Sequence, residues 1–356
     1  MTPRRRDPDE LTAAALGGDR VSLARLLTLV EQGGPPARRV GAILFSHAGR
    51  AHTLGITGPP GAGKSTLTDR LIATIRAEGK EVGILAIDPS SPYSGGAFLG
   101  DRVRMQEHAL DAGVYVRSMA TRGHLGGLAL ATPEAVRALD AVGFPWVLVE
   151  TVGVGQVEIE IVGTADTTLV VLNPGAGDSV QAAKAGLLEV ADIFVINKAD
   201  RPGAKELERD LGAMLDLTGL TAGRQGSHEA HGEGWRPPII RTVASRGEGI
   251  DELWSAVADH RQMLVDTGDL ARRRERRLTD ELRAILLRLL ERKAVELADG
   301  EAFAEARDAV ITRTTDPWAA AGALVANLDL DRLAECPESG QAHLPADPSG
   351  GSVADR

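Results

Sequence analysis

The chain has 356 residues and one cysteine, Cys336. A single thiol can close no internal disulfide and build no multi-cysteine metal site, which fits a reducing compartment. Aromatic residues amount to only 3%, too few for a platform on which successive bases stack. Positive charge is also in deficit. The net charge of −10 leaves no excess of cations to pair with phosphates, which argues against a nucleic-acid partner. No apolar run approaches the ~18 residues that a membrane span requires. Arg4, Arg5 and Arg6 are followed by Asp7, Asp9 and Glu10, where a signal peptide would be apolar. These absences describe a soluble, cytoplasmic protein, long enough for one large core with extensions.

What is present centres on Gly58-Pro59-Pro60-Gly61-Ala62-Gly63-Lys64-Ser65-Thr66, a full match to G-x-x-x-x-G-K-[ST]. An apolar run, Leu54 to Thr57, leads in, and an amphipathic helix, Leu67 to Ala77, leads out. Gly58, Gly61 and Gly63 let the backbone curl so that successive N–H groups point at phosphate oxygens, and the helix adds the positive end of its dipole. In such a loop Lys64 reaches the β- and γ-phosphates and the Ser65 hydroxyl binds Mg²⁺.

Two further apolar runs end in acids. Val82 to Asp88 and Trp146 to Glu150 read as buried parallel strands that deliver carboxylates to the sheet edge where open α/β folds build their sites. Asp88 suits the Mg²⁺ shell, though an Asp-Pro also serves as a turn. Glu150 suits either a metal-bound water or the attacking water, with Gln156 as a second positioner. The Gly153 N–H can read the γ-phosphate. Residues 90–104 form a long glycine-rich segment that suggests a γ-phosphate sensor, with Asp101 and Arg102 as its charged candidates. His124, in another glycine-rich loop, reads as a loop hydrogen-bonder. Thr132 reads as a helix cap ahead of Pro133 and Glu134. The run Thr168 to Leu172 leads into a third loop and a helix bearing Gln181 and Lys184. Asp178 there is either functional or a complement to the helix dipole.

Ile193 to Ile196 leads into Asn197-Lys198-Ala199-Asp200. After a strand and far downstream of a phosphate loop, this tetrapeptide reads guanine. The Asp200 carboxylate accepts from N1–H and the 2-amino group, which adenine lacks at those positions. Asn197 braces the loop and faces N7, and the Lys198 stem lies against the base. Ile239 to Val243 reads as the last strand, and Ala244 and Ser245 follow with N–H groups for guanine O6. Residues 221–236 read as a polar loop, in which His228 and His231 have no third ligand nearby.

The ends are helical. Residues 1–50 form an N-terminal helical extension, 51–265 a GTPase domain, 266–336 a C-terminal helical arm, and 337–356 a disordered tail. Leu278, Leu282, Ile285, Leu286, Leu289 and Leu290 make an apolar stripe on a long helix, for which homodimerisation is the economical use. The fold class is α/β, a P-loop sheet that is mostly parallel and flanked by helices.

With GITGPPGAGKST, ILAIDPSSPYSGGAFLGDR, RSMATRGHLGG, VLVETVGVGQ, NPGAGDSVQAAKAG and NKAD, the chain resembles the MeaB/ArgK family of P-loop GTPases from about residue 10 to about 330. The resemblance implies a G-protein chaperone of an adenosylcobalamin-dependent acyl-CoA mutase, such as methylmalonyl-CoA mutase, that gates cofactor loading and protects the enzyme. It implies GTP and GDP as ligands and Mg²⁺ as cofactor. Asp88, Asp101 and Glu150 then surround the metal and switch loops, Asp178 and Lys184 belong to a third switch that rearranges on mutase docking, and the C-terminal helices form a dimerisation arm. Alternatives are an ATP-dependent kinase of a transport-system protein, which the Asn197–Asp200 motif disfavours, and a nickel-insertion GTPase, which lacks its usual histidine tract or Cys-x-x-Cys here. A non-catalytic GTP-binding scaffold is a third, against which Lys64, Ser65 and Glu150 stand.

Overall fold

A computed structural model describes residues 7–88, 108, 110–120, 127–151, 164–175, 190–225, 235–298 and 300–326. Seven strands, β1 (His52–Thr57), β2 (Val82–Asp88), β3 (Val114–Ala120), β4 (Trp146–Thr151), β5 (Thr167–Leu172), β6 (Ile193–Ile196) and β7 (Ile239–Arg241), form one sheet in the order β3-β2-β4-β1-β5-β6-β7. Every pairing is parallel. The strands β1, β4, β5 and β6 are buried at each position, as continuous apolar runs in a sheet covered on both faces should be. Chain order reverses at β1, so a crevice opens beyond its carboxyl end.

The described helices are α1 (Pro8–Leu16), α2 (Arg20–Gln32), α3 (Gly34–Phe45), α4 (Lys64–Ala77), α5 (Gly127–Ala141), α6 (Ala204–Gln225), α7 (Ile250–Asp266), α8 (Asp269–Ala298), α9 (Glu301–Ile311) and α10 (Pro317–Ala326). One sheet face packs Leu54, Ile56, Ile84, Leu148 and Val171 against Leu67, Leu71 and Ile75 of α4 and Leu253 and Val257 of α7. The other face has two patches. Leu85, Ile87, Val147 and Val149 meet α5 and the N-terminal helices through Leu26, Leu27, Val40 and Leu44. Val170, Leu172 and Phe194 meet Leu207 and Leu211 of α6. The backbone divides into two compact units, Met1–Leu282 and Arg283–Arg356. The first therefore includes the N-terminal helices and the first half of α8.

Local signals explain most element ends. Asp19 caps α2 by accepting from the Val21 and Ser22 amides, and Gly79, at φ 75°, follows the last turn of α4 as a left-handed stop. Two expectations are corrected. Thr132 does not cap a helix: α5 begins at Gly127, Pro133 lies inside it, and Thr132 is buried. Burial of Ala131, Ala135, Ala138 and Leu139 on one face outweighs the amide that proline lacks. The segment from residue 221 is not wholly loop either. The backbone of α6 continues to Gln225, and Trp235 packs against the core while its Nε1 donates to the Asp192 carbonyl at 2.8 Å.

At the amino-terminal edge of the sheet lies a buried polar cluster. Asp166 and Asp192 sit one residue before β5 and β6, and each is about as buried as the core, Asp166 at 1% exposure. Asp166 accepts from Arg274 at 2.8 Å and from Arg277, and Asp192 accepts from Arg273 at 2.9 Å. All three arginines lie on the first half of α8. Thr167 Oγ1 lies 2.8 Å from both His52 Nε2 and His260 Nδ1. Burial by itself would raise the Asp166 carboxyl, but the Arg277 charge, the Arg274 hydrogen bond and His52 hold it well below the usual range. Burial dominates at His52 and lowers it to about 4, against the attraction of Asp166.

A histidine whose folded pKa lies below its unfolded value favours folding fully above the unfolded value and loses that support as pH falls through the folded one. Between pH 6.5 and about 4 the native state should therefore lose on the order of 3 kcal/mol from His52 alone. Urea midpoints measured across that window should slope less steeply for His52→Asn than for the parent chain. Parallel curves would show that His52 does not set the slope.

Candidate functional site

The phosphate loop leaves β1 at Thr57 and enters α4 at Lys64. Two of its glycines are required by contact as well as by conformation. Gly58 has φ 136°, and a Cβ there would run into the Val171 carbonyl of β5. Gly63 has φ 95°, and its Cβ would displace the Asn197 amide. Gly61, at φ 74°, completes the curl, with Pro59, Pro60 and Ala62 between them and Thr66 in the first turn of α4. Lys64 is 6% exposed. Its Nζ donates to the Gly58 carbonyl at 2.5 Å and the Pro59 carbonyl at 3.2 Å, so the ammonium is held against the loop that wraps phosphate.

The sheet register brings the acids to that loop. Glu150 pairs with Ile56 of β1 on one side and Ala86 of β2 on the other. The backbone of Asp88 stands one residue beyond the Ile87–Thr151 pair, on the same edge. Ser65 Oγ donates to Glu150 Oε1 at 2.7 Å, and Glu150 is 1% exposed. The hydroxyl and carboxylate singled out as metal ligands thus meet at the start of α4. Both are hard oxygen donors of the kind that suits Mg²⁺, which completes its shell with water and substrate phosphates. They fit that ion, and among the described residues no group of three or more His, Cys, Asp or Glu is arranged to hold another metal. The side chain of Asp88, together with Asp101, Arg102, His124, Gly153, Gln156, Asp178, Gln181, Lys184, His228 and His231, lies outside the described residues, as do Glu158, Glu160, Cys336 and the tail 337–356.

The Asn197–Asp200 segment follows β6. Asn197 is buried, and its Nδ2 donates to the Ala62 carbonyl at 2.8 Å. Its Oδ1 accepts from the Ala244 amide at 3.1 Å and from Thr242 Oγ1 at 3.2 Å. One side chain therefore ties the phosphate loop to the segment after β7. Lys198 adopts φ 57°, left-handed for a residue with a side chain, and its Nζ donates to the Gly61 carbonyl at 2.6 Å. That conformation costs energy and persists because its surroundings hold it, here with the Ala199 amide on the Thr242 carbonyl at 3.0 Å. Asp200 projects into solvent with its side chain 41% exposed, 3.4 Å from Arg246 Nη1. Ala244 and Ser245 lie in a short 3₁₀ turn, Ala244–Arg246. The Ala244 amide is already engaged by Asn197.

Sequence reasoning missed Thr242, the second donor to Asn197 Oδ1, and Arg70, which reaches the 3₁₀ turn from α4. Neither belongs to a motif. The available signal is position alone: Thr242 directly follows β7, and Arg70 stands two turns into the phosphate-loop helix.

A phosphate loop on the central strand of a parallel sheet, with a guanine-specific tetrapeptide tied to it, defines a P-loop GTPase that binds GTP and GDP. Residues 23–299 match the family model described as methylmalonyl-CoA mutase-associated GTPase MeaB, and the chain belongs to that family. A protein of Pyrococcus abyssi described as a GTPase is 49% identical over 313 residues, covering 88% of this chain and 94% of that one. GTPase ArgK of Escherichia coli is 36% identical over 270 residues, 75% of this chain and 80% of that one. A mouse protein named methylmalonic aciduria type A homolog, mitochondrial, is 34% identical over 284 residues, 75% of this chain and 66% of that one. The solved structure of a LAO/AO transport system kinase superposes with a TM-score of 0.64 at 25% identity, covering 90% of this chain and 96% of that one.

Replacing Asn197 by Ala removes three hydrogen bonds and leaves the Ala62 carbonyl and the Ala244 amide without their partner. We expect about 2–4 kcal/mol of lost stability in urea melts and a more than tenfold rise in the Kd for a fluorescent GDP. Unchanged GDP affinity in a folded variant would show that the tie is dispensable.

Proposed function

We propose that this GTPase is a G-protein chaperone of an adenosylcobalamin-dependent acyl-CoA mutase of the methylmalonyl-CoA mutase type, which uses GTP binding and hydrolysis to gate cofactor loading. The observation that carries the proposal is the family match over residues 23–299, whose description is of a mutase-associated GTPase. The mouse relative named for methylmalonic aciduria supports it.

Hydrolysis is then a matter of positioning and charge. The amides of the loop from Gly58 to Thr66 cradle the phosphates, and Lys64 swings from the Gly58 and Pro59 carbonyls to the β- and γ-oxygens. Ser65 and Glu150 would hold Mg²⁺, with Asp88 and Asp101 as further oxygen donors, and the ion would neutralise charge on the β- and γ-phosphates. Glu150 either holds a metal-bound water or orients the attacking one, and the Gly153 amide senses the γ-phosphate. Asp178 and Lys184 come into place when the mutase docks, which raises a rate that is slow in isolation. Asn197, Lys198 and Asp200 recognise guanine together with Ala244 and Ser245; since Asn197 engages the Ala244 amide, the Ser245 N–H is the one that meets O6.

The protein is proposed to be cytoplasmic and homodimeric. No helix among the described residues is long and apolar enough to cross a membrane. Exposed Leu282, Leu286 and Leu290 on α8, with Trp318 on α10, are the apolar surface that a partner copy would cover.

The test is GTP and ATP turnover with and without a purified adenosylcobalamin-dependent acyl-CoA mutase. GTP-selective hydrolysis that rises on adding the mutase is expected, and Lys184→Ala should lose the rise while keeping the basal rate. Turnover indifferent to methylmalonyl-CoA mutase and related acyl-CoA mutases would remove the chaperone reading. For the base, Asp200→Asn should weaken GDP at least tenfold and improve xanthosine diphosphate, whose 2-oxo group accepts where guanine donates. A preference for GDP that survives this change would remove Asp200 from base recognition.

A further inference from the structure

Arg70 stands on α4, five residues after Ser65 and so on a different turn from the phosphate-binding start of the helix. Its side chain crosses to the turn after β7. Nε donates to the Ala244 carbonyl at 3.0 Å, and Nη2 lies 3.4 Å from the Ser245 carbonyl. The Ala244 carbonyl shares its peptide group with the Ser245 N–H, the donor read as facing O6. A peptide group is planar, so a fixed carbonyl also fixes the N–H of the following residue. Holding the Ala244 carbonyl orients the Ser245 N–H, and holding the Ser245 carbonyl orients the Arg246 N–H.

The turn has backbone bonds of its own, from the Arg246 N–H to the Val243 carbonyl at 2.9 Å and from the Gly247 N–H to the Ala244 carbonyl at 3.2 Å, and the guanidinium adds to them. The turn is three residues long, its start has no side-chain cap, and it ends at Gly247 with φ 75°. On its other side the Ala244 amide is pinned by Asn197 at 3.1 Å. Arg70 and Asn197 thus hold the two peptide units of Ala244, one from the helix that follows the phosphate loop and the other from the end of β6. Hydrogen bonds from a charged donor to carbonyls are among the stronger neutral-acceptor bonds, and the guanidinium can serve both oxygens at once.

We propose that Arg70 is a positioning residue for guanine recognition: it aims the Ser245 N–H at O6 and couples that donor rigidly to the phosphate-binding helix. The proposal rests on the reading of Ala244 and Ser245 as the O6 loop. It assigns O6 to Arg70 and the N1–H/2-amino edge to Asp200, which Arg70 does not touch and which meets the turn only through the exposed Arg246 side chain at 3.4 Å.

The experiment uses the full chain and three nucleotides: GDP, 6-thio-GDP, which weakens only the acceptor at position 6, and inosine diphosphate, which lacks only the 2-amino group. Each is titrated against the parent protein and Arg70→Ala. Arg70 is exposed on the helix and alanine is a good helix former, so the fold should persist, which a thermal melt verifies. In the parent, 6-thio-GDP and inosine diphosphate should both bind more weakly than GDP. In Arg70→Ala, GDP should weaken about three- to tenfold, the 6-thio-GDP to GDP ratio should fall toward one, and the inosine diphosphate to GDP ratio should stay as in the parent. A residue that merely stabilises the fold would weaken all three nucleotides alike and leave both ratios in place, which would overturn the proposal. So would a fall in both ratios together. A parent protein indifferent to the 6-thio substitution would instead overturn the O6 reading of the loop, and the proposal with it.

Discussion

The amide of Asn197 is the interaction on which the site depends. It is buried at the carboxyl end of β6 and donates to the phosphate loop at Ala62 while accepting from Thr242 and Ala244 beyond β7. Three segments far apart in sequence thereby share one rigid group. A carboxamide suits this place because it offers a donor and an acceptor at fixed separation; aspartate would lose the donor and leucine both. Gly63 is needed for the same reason, since any side chain there would occupy the space of the amide. The phosphate loop, the Asn197–Asp200 segment and the turn after β7 are therefore mechanically one unit.

The opposite edge of the sheet is organised by charge. Asp166 and Asp192 are too buried to be tolerated alone, and the arginines of α8 answer them. Removing one member of such a set leaves an uncompensated charge, typically costing about 3–5 kcal/mol. The cluster also includes His52, His260 and Thr167, so strands β1 and β5 and helices α7 and α8 meet there through polar contacts, beside an apolar layer that contains Trp146 and Trp254. The two tryptophan rings lie 4.7 Å apart.

Much of this was legible in the sequence because it is local. The phosphate loop, the acid-terminated run ending at Glu150 and the NKAD segment announce themselves by residue type at short spacing, and the strands by unbroken apolar runs. Ser65 and Glu150 are each expected around the metal, and the direct hydrogen bond between them is what the structure adds. What escaped was long-range pairing. Arg70 has no motif, and neither the arginines between Arg272 and Arg277 nor the lone aspartates before β5 and β6 stand at a spacing that announces their pairing. Pro133 misled because proline usually opens a helix; here the buried alanine face of α5 carried the helix through it.

The arginines of α8 have a consequence for how the chain is put together. The helix that leads out of the sheet unit is also the source of the counter-ions for that unit's own interior. A chain that stopped at Asp266, just after α7, would keep every nucleotide-binding residue yet bury two carboxylates with no cation from α8 to answer them. The nucleotide-binding half cannot be treated as a detachable module, and during synthesis its floor stays electrically unfinished until the root of the C-terminal helix has emerged.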